Sequence, residues 1–505
     1  MSFIFSRSEV AKRRRQLIIQ STKDFIRRYM RRKIGVFGLL VMIMFVGLAL
    51  SAPVTAPHDP VSDTYLAEPY APPEWYSFIS RQYANLPKTT FYGLEVGEWK
   101  INTLGNVKNY ADISKDVEEN AFIIKYVNPT DSEGNFTFVA EYTFDYPYET
   151  LKTFIYRIKM QIQNFYEYDY IADNGLEAKL AMYVSKVGKK QFILYDSSFF
   201  GNVTYMENPI TIYSTNVEVL QLNNLTTFDN LAERIFRGPG RYRIVLSLTI
   251  FDHGGEPGRE RKMEVYLQPI NFEVKGMLFG LLGTDYLGRD VWSQFVWGSR
   301  VSLSVGLLVA VIVLFIAIPL GMVAGYKGGV TDRLLISIFD IIYILPVLPI
   351  ILLVTMMLRR PSLFAIIALI AIFSWTGLAR QIRAWTLSLR ERPFVESIKV
   401  IGASDAYIMF RYILPQMAPL LVYYITVIIP GAILTEAGIS LLGLGDPTTT
   451  SWGMMIQEAQ AGAAILKGAW WWVMPPIAGI ILLCMAFIFI GFTLDELVNP
   501  RLRRR

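Results

Sequence analysis

The sequence predicts an all-α polytopic membrane protein of six transmembrane helices, with a β-rich α+β domain inserted after the first of them. Of the 505 residues, 52% are hydrophobic and only 18% are charged, a balance too apolar for an ordinary soluble enzyme. Long uncharged runs occur at 34–52 and again after residue 300. Between them lies a polar stretch in which no segment is apolar and long enough to span a bilayer.

The first predicted membrane helix is 34–52, which carries no charge and can cross about 30 Å of hydrocarbon. It follows a basic tail, 1–33, with eleven Lys or Arg against Glu9 and Asp24. A secretory signal peptide is the alternative interpretation. That tail is too long for the basic start of a signal peptide, and Pro53 would follow the only suitable cleavage point. We therefore predict a retained membrane helix.

The polar stretch contains a folded domain, which we place at about 76–275. Segment 135–146 alternates apolar and polar residues, the period of a half-buried strand. Segments 241–253 and 261–274 show the same pattern and are joined by a turn rich in Gly and Pro. One helix is predicted between these strands, from apolar residues at helical spacing: Leu151, Phe154, Ile155, Ile158, Ile162 and Phe165.

Apolar runs after residue 300 predict five further spans, at about 301–326, 334–358, 362–386, 417–441 and 470–492. An even number of spans puts both termini on one side of the membrane. If that side is the cytoplasm, most Lys and Arg clusters lie inside and the acidic insert lies outside. The chain then divides into a cytoplasmic tail (1–33), a membrane helix (34–52), an extracytoplasmic region (53–285) and a membrane core with a basic C-terminal tail (286–505).

Motifs for enzymatic chemistry are missing from the sequence. It has no Walker A motif, so it does not bind ATP through a P-loop. Its two histidines, His58 and His253, are far apart, and Cys484 is its only cysteine, which excludes a zinc cluster and an internal disulfide. We therefore expect neither a catalytic site, nor a metal site, nor a cofactor in this chain.

Two carboxylates fall inside predicted spans, where charge is costly and often functional. Asp340 lies in the third apolar run and Glu436 near the end of the fifth. One interpretation places them in a translocation pathway. The other gives them a structural role, with Asp340 bonding between helices and Glu436 packing against an outer loop. The residue pattern leaves both interpretations open.

The stretch 396–416, ESIKVIGASDAYIMFRYILPQ, separates two apolar spans and predicts two short helices that meet at a glycine. Pro393 suits the first turn of a helix, and Glu396 lies near the positive end of its dipole. Gly402 then allows the left-handed conformation that ends this helix. Ser404 can cap the helix that follows.

The second short helix has Asp405 in its first turn, and we expect Pro415 to end it. Basic residues surround the pair of helices: Arg390, Arg392, Lys399 and Arg411. A rigid helical pair of this kind can dock into a cleft of a cytoplasmic protein. The alternative is a helix pair that lies on anionic lipid.

Several motifs in this order resemble the C-type permease subunits of oligopeptide, dipeptide and nickel ATP-binding cassette (ABC) importers. They are GTDYLGRD (283–290), GSRVSLSVG (298–306), GASDAYIMFRYILPQ (402–416), GISLLGLG (438–445), TSWGMMI (450–456) and NPRLR (499–503). The resemblance covers 25–60 loosely and 276–505 closely. It implies the type I importer permease fold, which makes the insert at about 76–275 a departure from typical members.

The resemblance also assigns roles in the segment 390–416. It implies an ATPase-coupling loop that contains Glu396, Gly402, Ala403, Ser404, Asp405, Arg411 and Pro415. Ser397 and Ile398 stand where the family motif has two alanines after the glutamate, a local departure. The implied mechanism is ATP hydrolysis on partner subunits, transmitted through this loop to the membrane helices.

The implied partners are a second permease, two cytoplasmic ATPases that bind ATP and Mg, and an extracytoplasmic solute-binding protein. No nucleic acid is expected, and the location is the cytoplasmic membrane. The implied cargo is peptide, with oligosaccharides or nickel as alternatives within the same machinery. A membrane-anchored ligand sensor is the rival from another class, and it would not need five further spans.

Overall fold

The computed structural model describes residue 20 and residues 23–106, 108–129, 133–165, 175–254, 260–358 and 361–498. The chain divides into two compact units. Met1–Asp63 and Asp290–Arg505 form the membrane unit, and Thr64–Arg289 forms the β unit, which extends on both sides of the insert expected at 76–275. The basic residues before residue 20 and the NPRLR motif lie outside the described residues.

Helices build the described part of the membrane unit. They are α1 (Lys33–Thr55), α2 (Val291–Lys327), α3 (Gly329–Ile344), α4 (Val347–Met357), α5 (Leu363–Arg390), α6 (Pro393–Val400), α7 (Asp405–Ile408), α8 (Ala418–Leu441), α9 (Trp452–Ala461) and α10 (Trp470–Val498). Asp290 fixes the start of α2, since its carboxylate accepts hydrogen bonds from the backbone N–H groups of Trp292 and Ser293, each at 3.1 Å.

Apolar length predicted the membrane-spanning helices well. Within the described residues, five helical segments are long and apolar enough to cross a membrane: Lys33–Thr55, Val291–Lys327, Leu363–Arg390, Asp405–Leu441 and Trp470–Leu497. Four of them contain a predicted span, and Leu363–Arg390 contains all but the first residue of the span predicted at 362–386. The chain is therefore a polytopic membrane protein, as the sequence predicts.

The predicted span 334–358 is not one straight helix. It consists of α3 and α4, which meet at an angle of 77°. Pro346 explains the break, because a proline disfavours helical backbone in the residue before it. That residue, Leu345, is extended, with φ −60° and ψ 139°.

Close contact between α2 and α5 forms the centre of the membrane unit. A Cβ at Gly321 would lie 2.6 Å from the carbonyl oxygen of Ala379, and one at Gly325 would lie 2.6 Å from that of Arg383. Both glycines therefore let the two backbones approach more closely than any side chain would allow. This pair of helices fixes the base from which α6 and the following loop extend.

The β unit consists mainly of antiparallel strands. They are β1 (Thr90–Gly93), β2 (Lys100–Gly105), β3 (Ala111–Asp116), β4 (Ala121–Asn128), β5 (Gly134–Tyr146), β6 (Phe154–Phe165), β7 (Leu176–Lys186), β8 (Phe192–Phe200), β9 (Val203–Thr204), β10 (Ile210–Tyr213), β11 (Gly240–Asp252) and β12 (Arg261–Val274). Short helices occur at Tyr76–Ile79, Val217–Leu222 and Leu231–Ile235. The β-rich character of the insert is confirmed.

Two sheets share one core in this unit. The first has the strand order β10-β6-β12-β4-β3, with β1 beside β12 and β9 beside β6; the second has the order β2-β5-β11-β7-β8. Rings from both sheets meet in the core, as Phe122 and Phe138 do with centroids 5.2 Å apart. The three predicted strands are confirmed as β5, β11 and β12, and the chain changes sheets between β11 and β12.

The helix predicted from Leu151 to Phe165 is wrong. Phe154–Phe165 is strand β6, paired with β10 and β12. Its apolar residues fit a period of two as well as a helical period, and Tyr156, Ile158 and Met160 are fully buried on one face. Pairing with β10 and β12 makes this segment a strand and not a helix. The spacing of apolar residues in one sequence does not show that pairing.

A buried ion pair connects the two sheets. Arg261 of β12 and Asp252 of β11 have side chains with 0% exposure, and Arg261 Nε lies 2.8 Å from Asp252 Oδ1. The other carboxylate oxygen accepts hydrogen bonds from the Tyr126 hydroxyl at 3.0 Å and the Asn128 amide at 2.7 Å. Each oxygen of the buried carboxylate therefore has a partner, as a charge at this depth requires.

Candidate functional site

The loop between α5 and α8 contains the glycine elbow that the sequence predicts. Pro393 begins α6, and Glu396 lies exposed in its first turn. Gly402 follows the helix with φ +87° and donates its N–H to the Lys399 carbonyl at 3.0 Å. A side chain at this φ is strained, so the position favours glycine for its backbone conformation.

A second short helix, α7, starts directly after the elbow. The Ser404 hydroxyl accepts a hydrogen bond from the Tyr407 N–H at 3.3 Å and caps the helix. Asp405 lies in its first turn. Ala403 lies between α6 and α7 in the sequence and is half-buried. Its N–H donates to the Ile398 carbonyl at 3.4 Å.

Pro415 does not end this helix, contrary to the sequence prediction. The chain continues as a π-helical turn, Met409–Ile413, and a 3-10 turn, Leu414–Met417, and then enters α8. Pro415 lies at the start of the 3-10 turn, directly after the π-helical turn, where the hydrogen-bond pattern of the helix changes. Asp405–Leu441 is consequently one helical segment, so the elbow is joined directly to a membrane span.

The loop has a packed inner face and an apolar outer face. Val395, Ile408 and Ile413 are buried in the core of the membrane unit. On the outside, Val400 is 83% exposed and Ile401 84% exposed, directly before the elbow. An exposed apolar patch beside charged residues is typical of a protein-docking surface or a membrane contact.

The loop that contains this patch also carries exposed charged residues. Glu396, Asp405 and Arg411 are exposed, as is Pro415. Arg390, at the end of α5, donates from Nη1 to the Tyr326 carbonyl at 3.2 Å and so connects the base of the loop to α2. The seven residues assigned by resemblance therefore lie in one continuous segment whose base is held by α2 and α5.

The two intramembrane carboxylates lie away from this segment in sequence and have local partners. Asp340 of α3 lies 3.5 Å from Arg380 Nε, and the same guanidinium stacks over Tyr343 at 4.8 Å. Glu436 of α8 is 2% exposed and accepts a hydrogen bond from the Ser440 hydroxyl at 2.7 Å. The Asp340 contact joins two helices, whereas Ser440 lies in the same helix as Glu436 and not in an outer loop. A role of either carboxylate in a translocation pathway stays a prediction.

Sequence reasoning missed a stronger ion pair. Asp332 of α3 and Arg383 of α5 form two hydrogen bonds, at 2.5 and 2.7 Å. Fifty-one positions separate them, and nothing in the spacing shows that they meet until α3 is known to pack on α5.

Two segments of the chain match known protein families. Residues 317–504 match the family described as binding-protein-dependent transport system inner membrane component, and residues 21–73 match the N-terminal TM domain of oligopeptide transport permease C. Residues 74–316, which include most of the β unit, lie outside both matches.

Similar proteins include the dipeptide transport system permease protein of Bacillus subtilis, 36% identical over 44% of this chain and 69% of that protein. The oligopeptide transport system permease protein of Lactococcus lactis subsp. cremoris is 35% identical over 47% of this chain and 79% of that protein. The glutathione transport system permease of Pectobacterium atrosepticum is 33% identical over 44% of this chain and 73% of that protein.

Among solved structures, an inward-facing methionine ABC transporter is similar at 17% identity, covering 40% of this chain and 95% of that one with a TM-score of 0.34. This score is too low to support an argument about the fold. The sequence relatives identify the family.

Proposed function

The chain belongs to the inner membrane components of binding-protein-dependent transport systems, and from that premise we propose that it is the permease subunit of a peptide importer. Its relatives at 33–36% identity are named as dipeptide, oligopeptide and glutathione permeases. ATP is hydrolysed on partner subunits, and this chain supplies half of the membrane pathway.

The continuity of the elbow with α8 is the observation that carries this proposal. Because Asp405–Leu441 is one helical segment, a force on the elbow acts directly on a membrane span. The inner face of the loop is packed against the core of the unit. A partner that moves the elbow therefore moves the helices as a body, which is how a domain interface drives alternating access.

The outer face of the elbow is the surface that we assign to an ATPase partner. Val400 and Ile401 present an apolar centre, and exposed Glu396 and Arg411 lie in the same loop. An apolar centre with a charged rim is common in protein interfaces. The basic residues of the chain favour a cytoplasmic position for this face.

The complete assembly contains a second permease, two ATPases and a solute-binding protein. We propose six membrane crossings, with α3 and α4 together forming the bent third one. Both termini are then cytoplasmic, and the β unit is extracytoplasmic, on the side where a solute-binding protein would deliver its cargo.

Purification of the chain from its own host tests the assembly. We expect two P-loop ATPases to copurify, and we expect reconstituted proteoliposomes with the binding protein to take up radiolabelled di- or tripeptides when ATP is supplied. Uptake of oligosaccharide or nickel in place of peptide would mean that the chain is an importer subunit with a different cargo. Binding of ligand without copurifying ATPases would indicate a sensor and contradict the proposal.

A further inference from the structure

The β unit contains a cavity of about 440 Å³ that the family resemblance does not assign to any role. Its walls include a carboxylate, Glu68, and the ring of Tyr213, which is 45% exposed. Tyr65, 58% exposed, lines it as well, together with Thr153 and Thr215. The cavity is therefore lined both by an acidic residue and by aromatic residues.

Lys275 also lines the cavity, and its ammonium group is already hydrogen-bonded. Its ammonium group donates to the Glu273 carboxylate and to the Tyr65 carbonyl. Arg157 Nη1 bonds the second oxygen of Glu273 at 2.9 Å. Lys275 and Arg157 thus share the Glu273 carboxylate, and neither of them lies within 4.0 Å of the Glu68 carboxylate as an ion pair.

Only part of the Glu68 carboxylate has a partner, since the Thr153 side chain is its one hydrogen-bonding neighbour among the causes of its pKa shift. Among the described residues its Oε1 has no hydrogen-bond partner although it is buried, and the ion pairs of these residues within 4.0 Å do not include it. Burial raises the pKa of this carboxyl, against the opposing effects of Thr153, Lys152 and Lys275. A partly buried carboxylate that makes no direct ion pair destabilises the fold, and a cationic ligand would lower that cost.

Backbone geometry holds Glu68 and Tyr65 in place. The N–H of Glu68 donates to the Gly276 carbonyl at 2.9 Å, and its carbonyl accepts from the Thr284 hydroxyl at 2.6 Å. Tyr65 adopts φ +55°, a left-handed conformation that a bulky residue rarely takes. Strain of this kind persists where surrounding contacts fix it, and it occurs often at binding sites.

We propose that this cavity binds the α-ammonium group of a peptide, with Glu68 as its counter-ion and the faces of Tyr65 and Tyr213 around it. A primary ammonium is attracted both by a carboxylate and by aromatic faces. Thr153 and Thr215 offer hydroxyls to the first peptide group of the ligand. The volume suits the first two or three residues of a peptide. The assignment rests on peptide as the cargo of the importer.

The test is direct binding to the purified full-length chain in detergent micelles, without ATPases. The probes are trialanine and N-acetyl-trialanine, measured by ligand-observed NMR and calorimetry. We expect trialanine to bind and acetylation to weaken binding at least about tenfold, the equivalent of about 1.4 kcal/mol. Absence of trialanine binding at millimolar concentration, or equal binding of both probes, would overturn the proposal.

Two variants locate the site. Glu68→Gln keeps the shape of the side chain and removes its charge, so we expect at least about tenfold weaker trialanine binding. Glu207→Gln, at an exposed carboxylate of the same unit, is the matched control and should bind like wild type. Both variants are checked for an unchanged circular dichroism spectrum. Wild-type affinity in Glu68→Gln would contradict the assignment.

Transport separates this proposal from the function of the chain. If wild-type proteoliposomes import peptide but the micellar chain binds both probes equally, the ammonium site is wrong and the importer stands. If trialanine binds through Glu68 but no peptide is imported, the importer is wrong and the site stands as an ammonium-binding cavity.

Discussion

Arg383 holds Asp332 through two hydrogen bonds, Nε to Oδ1 at 2.5 Å and Nη2 to Oδ2 at 2.7 Å. This geometry joins α3 to α5 side by side, since a guanidinium and a carboxylate match in a planar pair. Arg390, further along α5, reaches the end of α2. Side chains of α5 therefore bond both to α3 and to α2, and these three helices support the elbow.

Asp332→Asn should weaken this support. It leaves the Arg383 charge without its partner, and we expect a loss of about 1–3 kcal/mol in stability, seen as a lower thermal unfolding midpoint of the purified chain. Asp340→Asn is the matched control. Its pair with Arg380 is a single longer contact, at 3.5 Å, and is weaker than two charge-assisted hydrogen bonds, so Asp340→Asn should lower the midpoint less than Asp332→Asn does. Equal decreases in the unfolding midpoint of the two variants would show that the Asp332–Arg383 pair contributes no more stability than the Asp340–Arg380 pair.

Membrane orientation can be read with single cysteines after Cys484→Ala. Asn202 and Ser404 are both exposed, one in the β unit and the other at the elbow. In intact cells an impermeant maleimide should label Asn202→Cys and should label Ser404→Cys only after permeabilisation. Labelling in the opposite order would invert the proposed topology.

Residues 64–289 should fold alone. They form one compact unit with its own buried core between two sheets, and their length is typical of an independent domain. The isolated fragment is expected to be soluble and monomeric, with a circular dichroism spectrum dominated by β structure and a cooperative unfolding transition. A helical or unfolded spectrum would contradict this.

The buried pair in that fragment gives a quantitative test. Asp252→Ala leaves the guanidinium of Arg261 buried without its carboxylate, and we expect a loss of about 3–5 kcal/mol in the free energy of unfolding by urea. The double variant Asp252→Ala, Arg261→Met also removes the unpaired guanidinium charge, and it should recover part of the lost stability. A double variant less stable than Asp252→Ala would mean that the Arg261 guanidinium makes further stabilising contacts, and it would contradict this expectation.

Hydropathy predicted most of the membrane unit because the bilayer imposes one simple requirement on length and composition. The break at Pro346 is visible in the sequence through its effect on Leu345. The strand at Phe154–Phe165 is not visible in this way, since its residues satisfy both periods until β10 and β12 are in place.

The elbow was predictable for a similar reason. Ser404 and Gly402 act through local backbone geometry, and local geometry leaves a pattern in the sequence. Asp332 with Arg383, and Glu68 with its aromatic neighbours, come together only in the folded chain. Such long-range contacts leave no spacing that one sequence reveals.

The central claim is that the elbow transmits movement from an ATPase to the membrane helices. Gly402→Val tests it, because Gly402 has φ +87° and a Cβ there would meet no atom within 4 Å. The cost is therefore backbone strain, about 1–3 kcal/mol, which changes the angle between α6 and α7. Gly188→Val is the matched control, with φ +79° and the same open surroundings, but in the β unit.

The measurement is ATP hydrolysis stimulated by peptide and binding protein in proteoliposomes that contain all partners. We predict that Gly402→Val assembles a folded membrane unit yet loses stimulation at least about tenfold, an effect of about 1.4 kcal/mol, while Gly188→Val is stimulated like wild type. Wild-type stimulation and peptide uptake in Gly402→Val would contradict the coupling role of the elbow.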